Sequence, residues 1–155
     1  SLGWNLINSK RVIYTDSTES NKGYHFFSDD EWGPQFSVPL EDVTIDKNNF
    51  IDISLDVNGL DSLSEVILVA TIESDSKNIY WGGTNFKDYI TKSCSSDQWQ
   101  KIHHSIQLSD VKQTDENLIL KVFVWNKSRS NFLFDNIELN IRIGNPYLYG
   151  LVEEI

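Results

Sequence analysis

From Phe50 onward the chain alternates with a period of two: Ile51, Ile53, Leu55 and Val57 are apolar, and Asp52, Ser54 and Asp56 between them are polar. Successive side chains of a strand point to opposite faces, so this stretch predicts a strand with one face in a core and the other in water. Half-buried strands of that kind belong to antiparallel sheets. "SEVILVATIES" is apolar on both faces from Val66 to Ile72, "QKIHHSIQL" alternates through Ile102, His104, Ile106 and Leu108, and "NLILKVFVWN" again fills both faces. These three read as central strands of a sandwich. The last candidate, "NFLFDNIELNIRI", puts Leu133, Ile137, Leu139, Ile141 and Ile143 on one side, with Asp135 breaking the row.

Shorter strand candidates come earlier, at 11–14, 23–28 and 34–40, separated by the turn-rich "TDSTESNK" and "DDEWG". No run of ten or more residues repeats with a helical period, and single turns around "TNFKDYI" and "LSDVKQ" are the best helical candidates. The chain has 155 residues, 12% of them aromatic and none Met, which favours strands over helices and suits one domain. About eight strands joined by polar turns predict an all-β fold, a two-sheet antiparallel β-sandwich of jelly-roll topology. The domain is expected over 1–143, with 144–155 as a C-terminal arm or linker where the alternation stops.

Lys and Arg number 13 against 23 acidic residues, a net charge of −10. Such a surface repels phosphate backbones and anionic lipid, which argues against nucleic acid or a membrane surface as partners. No apolar run reaches the ~20 residues of a membrane helix, so no membrane insertion by this domain is expected, and any export signal would lie outside this sequence. Cys94 is the only cysteine, so neither an internal disulfide nor a cysteine zinc cluster can form.

Catalytic patterns are sparse. No G-x-S-x-G elbow occurs, and Cys94 in "KSCSSD" lies in no nucleophile signature. His103 and His104 are adjacent, so on a strand they face opposite ways and cannot share a metal. Asp29, Asp30 and Glu31 read as a solvated turn, and no acid–base pair of the glycosidase type can be named. A noncatalytic protein is expected. Calcium suits the chain better, because it takes many oxygen ligands, backbone carbonyls included. "YTDSTESNKGY" offers Asp16, Ser17, Thr18, Glu19 and Asn21, and Asp135 interrupts an apolar row where a bare carboxylate is costly. An ion bridging the first and last strands would satisfy both; the alternative is that Asp135 accepts backbone N–H bonds.

Two stretches resemble jelly-roll carbohydrate-binding modules. "DSTESNKGYHFF" is similar to the acidic loop, glycine and strand near the start of that family, and "LILKVFVWNKSRSNFLFDNIELNI" to its closing hairpin. Together they make up about a quarter of the chain. The resemblance implies a structural Ca2+ on Glu19 and Asp135, with Asp16 or Ser17 and backbone carbonyls completing the shell. It departs in having "ESNKG" where many members end in a His-Ser-Gly-like sequence. The middle segment, "IYWGGTNFKDYI" through "DQWQKIHHSIQLSDVKQ", resembles extracytoplasmic sandwich domains of Bacteroidetes-type envelope proteins, some appended to membrane glycosyltransferases.

Sugar binding needs exposed aromatic planes flanked by hydrogen-bonding groups. Trp32 sits in an acidic turn before Gly33 and Pro34, where burial is hard to arrange. Tyr80 and Trp81 cannot share a face of one strand; Tyr80 is expected inside and Trp81 at a rim, with Gly82 and Gly83 ending the strand in a positive-φ turn. Trp125 shares a row with Lys121 and Phe123, and Lys121 marks that row as the wetter one, with Lys101, His103 and Gln107 as a neighbouring row. Trp4 is expected at the core edge and Trp99 as a loop staple. The expected ligand-binding set is Trp32, Trp81, Trp125, Lys121 and Asn126, although Asn126-Lys127-Ser128 also matches a glycosylation sequon. The function expected is a noncatalytic, extracytoplasmic module of a larger protein, binding a neutral polysaccharide or oligosaccharide by aromatic stacking. The alternative is an interaction or spacer domain of an envelope protein or membrane glycosyltransferase with no sugar site.

Overall fold

The computed structural model describes residues 4–5, 12–14, 22–26, 31–59, 65–75, 77–89, 99–111 and 117–144. Ten strands run through them: β1 Trp4–Asn5, β2 Val12–Tyr14, β3 Lys22–Phe26, β4 Trp32–Pro39, β5 Phe50–Asn58, β6 Ile67–Ser74, β7 Lys77–Asn85, β8 Gln100–Gln107, β9 Leu118–Trp125 and β10 Phe132–Arg142. They form two five-stranded sheets, ordered β1-β4-β9-β6-β7 and β2-β3-β10-β5-β8. Every pairing is antiparallel. The fold is thus the all-β antiparallel sandwich expected. Single helical turns at Leu40–Val43, Phe86–Asp88 and Leu108–Asp110 complete it, and two of the three coincide with the turns expected from sequence. Among the described residues no helix is long and apolar enough to cross a membrane.

The core lies between the inward rows: Leu120, Val122 and Val124 of β9 and Leu68, Ala70 and Ile72 of β6 meet Ile51, Ile53, Leu55 and Val57 of β5 and Ile102 and Ile106 of β8. Burial removes large aliphatic side chains from water, each contributing on the order of 1.5–3 kcal/mol. One expected central strand is not central, because β8 forms the edge of its sheet. Its outward side is polar, with Lys101, His103 and Ser105 exposed, as suits an edge that must not recruit another chain.

A bulge corrects the expected reading of β10. Asp135 pairs with Asp56 but Glu138 with Ser54, so β10 carries one extra residue between those pairs, where Asn136 takes a φ of 52°. An extra residue reverses which side chains face inward. Phe132 and Phe134 fill the core before the bulge, and Ile137 and Leu139 pack against it afterwards. Asp135 therefore interrupts no inward row. Leu133 falls on the other face, and Ile143 is exposed.

Where edge strands β7 and β8 face each other across the sandwich, the contact is polar. The buried His104 bonds the Tyr80 hydroxyl through Nε2 at 2.9 Å and the Thr84 hydroxyl through Nδ1 at 2.8 Å. Desolvation lowers the imidazole pKa below its ordinary value and raises that of the Tyr80 phenol.

Candidate glycan-binding face

The expected row of Trp125 exists and is the outward one. Along β9, Ile119, Lys121, Phe123 and Trp125 point away from the core, while Leu118, Leu120, Val122 and Val124 are buried. Neighbouring strands extend the row sideways through Cα pairs: Trp125 faces Trp32 and Ile67, Phe123 faces Gln35 and Val69, and Lys121 faces Ser37 and Thr71. On β7 the corresponding residues are Asn85, Gly83 and Trp81.

Trp32 reaches this face through a bulge. Phe36 and Val38 of β4 point into the core, and strict alternation would send Trp32 after them. Trp32 pairs with Trp125 and Gln35 with Phe123, so β4 has one extra residue at Gly33-Pro34. Proline, which has no N–H to give to a ladder, is at home in such a bulge, and the side chain before it is re-aimed outward. The Trp32 indole then stacks on Trp125 with centroids 5.4 Å apart and planes 9° from parallel, and meets Phe123 edge-on at 5.9 Å. Trp125 is the backing of this pair. Its Nε1 donates to Glu31 Oε1 at 3.4 Å, Lys127 Nζ lies 5.7 Å from its ring centroid, and Glu31 is also paired with Arg129 at 3.3 Å. Trp32 remains 51% exposed, so the indole is open to solvent.

The second indole is Trp81, 54% exposed on edge strand β7. The expected division holds, with Tyr80 turned inward to His104 and Trp81 outward. The two glycines do not end the strand, however; β7 continues to Asn85, and among the described residues Gly59 is the one glycine with positive φ. Each instead makes room on its own face. A Cβ on Gly82 would collide with the Tyr80 hydroxyl and come within 2.8 Å of His104 Nε2, and one on Gly83 would come within 3.2 Å of the Trp81 ring and 2.8 Å of Ile67. Gly83 thus lets the indole lie over the sheet, where Val69 and Thr71 are buried although they point outward.

In the row of Trp81, Lys121 Nζ forms an ion pair at 2.6 Å with Oε2 of Glu73, which lies two residues farther along β6. Three strand spacings and four residues of strand separate the two tryptophans, about 20 Å along the diagonal. That is far longer than one sugar ring.

Other expected site residues are placed elsewhere. Asn126 is fully buried: its Nδ2 donates to the Ser130 carbonyl at 2.8 Å and its Oδ1 accepts from Ser130 N at 2.9 Å, closing the β9–β10 turn. It faces no ligand, and neither does the sequon asparagine offer itself to glycosylation. Asn in a turn bonding its own backbone was a signal the sequence held. Lys101, His103 and Gln107 lie on the other sheet and do not adjoin the Trp125 row. Trp99 is 42% exposed ahead of β8. Asp135 Oδ1 accepts the Asn136 N–H at 2.7 Å, the alternative named for it. Asp16, Glu19 and Cys94 lie outside the described residues, as does the side chain of Trp4. Among the described residues no three His, Cys, Asp or Glu side chains gather as metal ligands. Glu73 and Gln35 were missed, because only strand pairing brings them near the tryptophans.

No family model matches the chain, and no curated protein does. Solved structures do. The CBM22-2 xylan-binding domain from Paenibacillus barcinonensis Xyn10C superposes with a TM-score of 0.53 at 14% identity, covering 92% of this chain and 91% of that one. The CBM22-1-CBM22-2 tandem of the same protein gives 0.52 at 16% identity, with 93% and 43% covered. The fold is that of a jelly-roll carbohydrate-binding module. A third match, the CBM22-1-GH10 modules of a Clostridium thermocellum xylanase complexed with xylohexaose, gives 0.53 at 14% identity, with 92% of this chain and 26% of that one covered. In the carbohydrate-binding-module fold of this chain, the Trp32 and Trp81 indoles stand on one sheet face.

Proposed function

We propose that the outward face of the β1-β4-β9-β6-β7 sheet binds a neutral glycan chain, laid across the strands from Trp32 to Trp81, and that the domain is noncatalytic. One observation carries the reading: two indoles, each about half exposed, share this face at a separation that suits several sugar units. Clustered exposed aromatic surface, as Trp32 makes with Phe123 and Trp125, marks a binding face where single exposed residues do not. Sugar C–H faces would rest on the indoles, with Gln35 beside Trp32 and the Lys121–Glu73 pair toward the Trp81 end to hydrogen-bond the hydroxyls. The cations are paired, Lys121 with Glu73 and Arg129 with Glu31, which favours an uncharged ligand over an acidic polymer. A neighbour of the same fold described as xylan-binding lends support. The reading places the domain outside the cytoplasm, as a module of a larger protein.

The same reading includes a structural calcium ion on Asp135 with Asp16 and Glu19. Asp135 points outward opposite Asp56, offering a hard oxygen, and its one bonded oxygen leaves the other for an ion. Asp56 is already met by Asn136 Nδ2 at 3.0 Å and Lys101 at 4.0 Å, so Asp135 is the oxygen donor with capacity to spare.

Titration calorimetry with xylohexaose, mannohexaose and cellohexaose tests the glycan proposal. A saturable component that Trp32→Ala and Trp81→Ala each remove is expected; no binding to any neutral glycan would instead make this an interaction or spacer domain.

A further inference from the structure

The opposite side of the sandwich carries its own concavity. Outward rows of β10, β5 and β8 line an open, shallow cavity of about 540 Å³, within the size range of small-ligand sites. Its floor is recessed. Ser54, buried although it points outward, lies in one row with Glu138 and His103, and Asp52 lies in the next with Asn140 and Ser105. Tyr89, from the turn after β7, forms part of the rim.

The lining is held in place before any ligand arrives. Asp52 accepts a fork from Arg142, Oδ2 from Nε at 2.9 Å and Oδ1 from Nη2 at 3.2 Å, and Oδ1 also accepts the Ser105 hydroxyl at 2.6 Å. That guanidinium sits 4.1 Å over the Phe50 ring, which fixes it from below. The Tyr89 hydroxyl donates to the His103 carbonyl at 3.3 Å, so its ring stands beside the imidazole, centroids 6.0 Å apart, while staying 38% exposed. Lost rotamer freedom is a main cost of binding, and here much of it is already met by the fold.

Charge and polarity narrow the ligand. Asp52 and Glu138 balance Lys101 and Arg142 in number, so there is no cationic excess to hold a phosphate or a nucleic acid. The lining is too polar for an apolar guest. An uncharged molecule rich in hydroxyls fits, with the Tyr89 plane to stack one ring and carboxylate, amide, hydroxyl and imidazole groups to bond its edges. We propose that this cavity is a second carbohydrate site, separate from the tryptophan face and taking a short neutral saccharide beside Tyr89. The ligand class is argued from this lining, so the two sites stand or fall apart.

Amide NMR titrations of the wild-type protein and of Trp32→Ala/Trp81→Ala with xylohexaose, mannohexaose and cellohexaose decide it. Saturable shifts at Tyr89, His103 and Asn140 should persist with at least one probe in the double variant. Adding Tyr89→Ala, or the exposed and structurally mild Asn140→Ala, should weaken them at least tenfold. If none of the three sugars moves those amides in either protein, the second site is overturned, whatever happens at the tryptophans. The indole N–H signals of Trp32 and Trp81 in the wild-type protein report the first face independently.

Discussion

On one sheet the outward row of β9 reads Ile119, Lys121, Phe123, Trp125; on the other, the outward row of β5 reads Phe50, Asp52, Ser54, Asp56. Their inward rows are nearly interchangeable, aliphatic and buried alike. Inward positions answer to packing, and outward positions are free to carry chemistry. The two faces use that freedom differently. On the first, the Trp81 indole leans over Gly83 beside the buried Val69 and Thr71; on the second, the one large apolar outward residue of β5, Phe50, is roofed by a guanidinium and surrounded by paired charges. An aromatic plane left open suits a sugar face, and a charge already paired suits a hydroxyl.

The comparison breaks first at the platforms. Trp32→Ala and Trp81→Ala should each weaken polysaccharide binding by more than about tenfold, as truncating a tryptophan anchor costs ~2 kcal/mol or more. Circular dichroism should show the fold intact, because both rings lie outside the core. Glu138→Ala on the other sheet should leave binding at the tryptophan face unchanged; a comparable loss there would end the distinction between faces.

The paired glycines sharpen it further. Gly82→Ala drives a methyl into the Tyr80–His104 contact and should lower stability by about 1–3 kcal/mol in urea unfolding. Gly83→Ala should instead displace the Trp81 indole, lowering glycan affinity severalfold with a smaller change in unfolding midpoint. Equal effects on both readouts would show that the faces are not separable at β7.

Next in size is the response to pH. Burial lowers the His104 pKa below 6.5, so the unfolded chain takes up a proton before the folded one does. Stability from neutral His104 is complete above about pH 6.5 and declines as pH falls from there toward the lowered value. Melting temperature should drop between pH 7 and 5, and His104→Gln should flatten that slope while leaving glycan binding at neutral pH in place. The smallest effect expected is that of calcium: a chelator should lower the melting temperature of the wild type but not of Asp135→Asn, since an ion bound by the folded state alone adds stability. An unchanged midpoint removes the ion.

Much of the fold could be read along the chain, because alternation is local. The inward rows of β5, β8 and β9, the outward Trp125 row and the split between Tyr80 and Trp81 all follow from counting residues by twos. The errors fell where counting fails. At Asp135 one extra residue reverses the phase; at Gly33-Pro34 another sends Trp32 outward, an exposure expected from its acidic turn and not from alternation. The role of Gly82 and Gly83 was misread because the cause is not in the strand: it is a hydroxyl and an imidazole meeting across two sheets, and an indole folded back over its own neighbour. Asn126 was misassigned by its place beside Trp125, when its amide closes a turn.

By itself the sequence determined that this chain is an antiparallel sandwich and which residues of β5, β8 and β9 turn toward its core, since period-two patterning leaves a half-buried strand a single register of faces. Only the tertiary structure decided which strands are neighbours, and so which outward rows share a surface. Lys121 meets Glu73, and Trp32 stacks on Trp125, through pairings between strands 48 and 93 residues apart in the chain, from 121 − 73 and 125 − 32. Hydrogen-bond ladders between such distant segments are set by the packing of the whole sandwich, which no local pattern encodes.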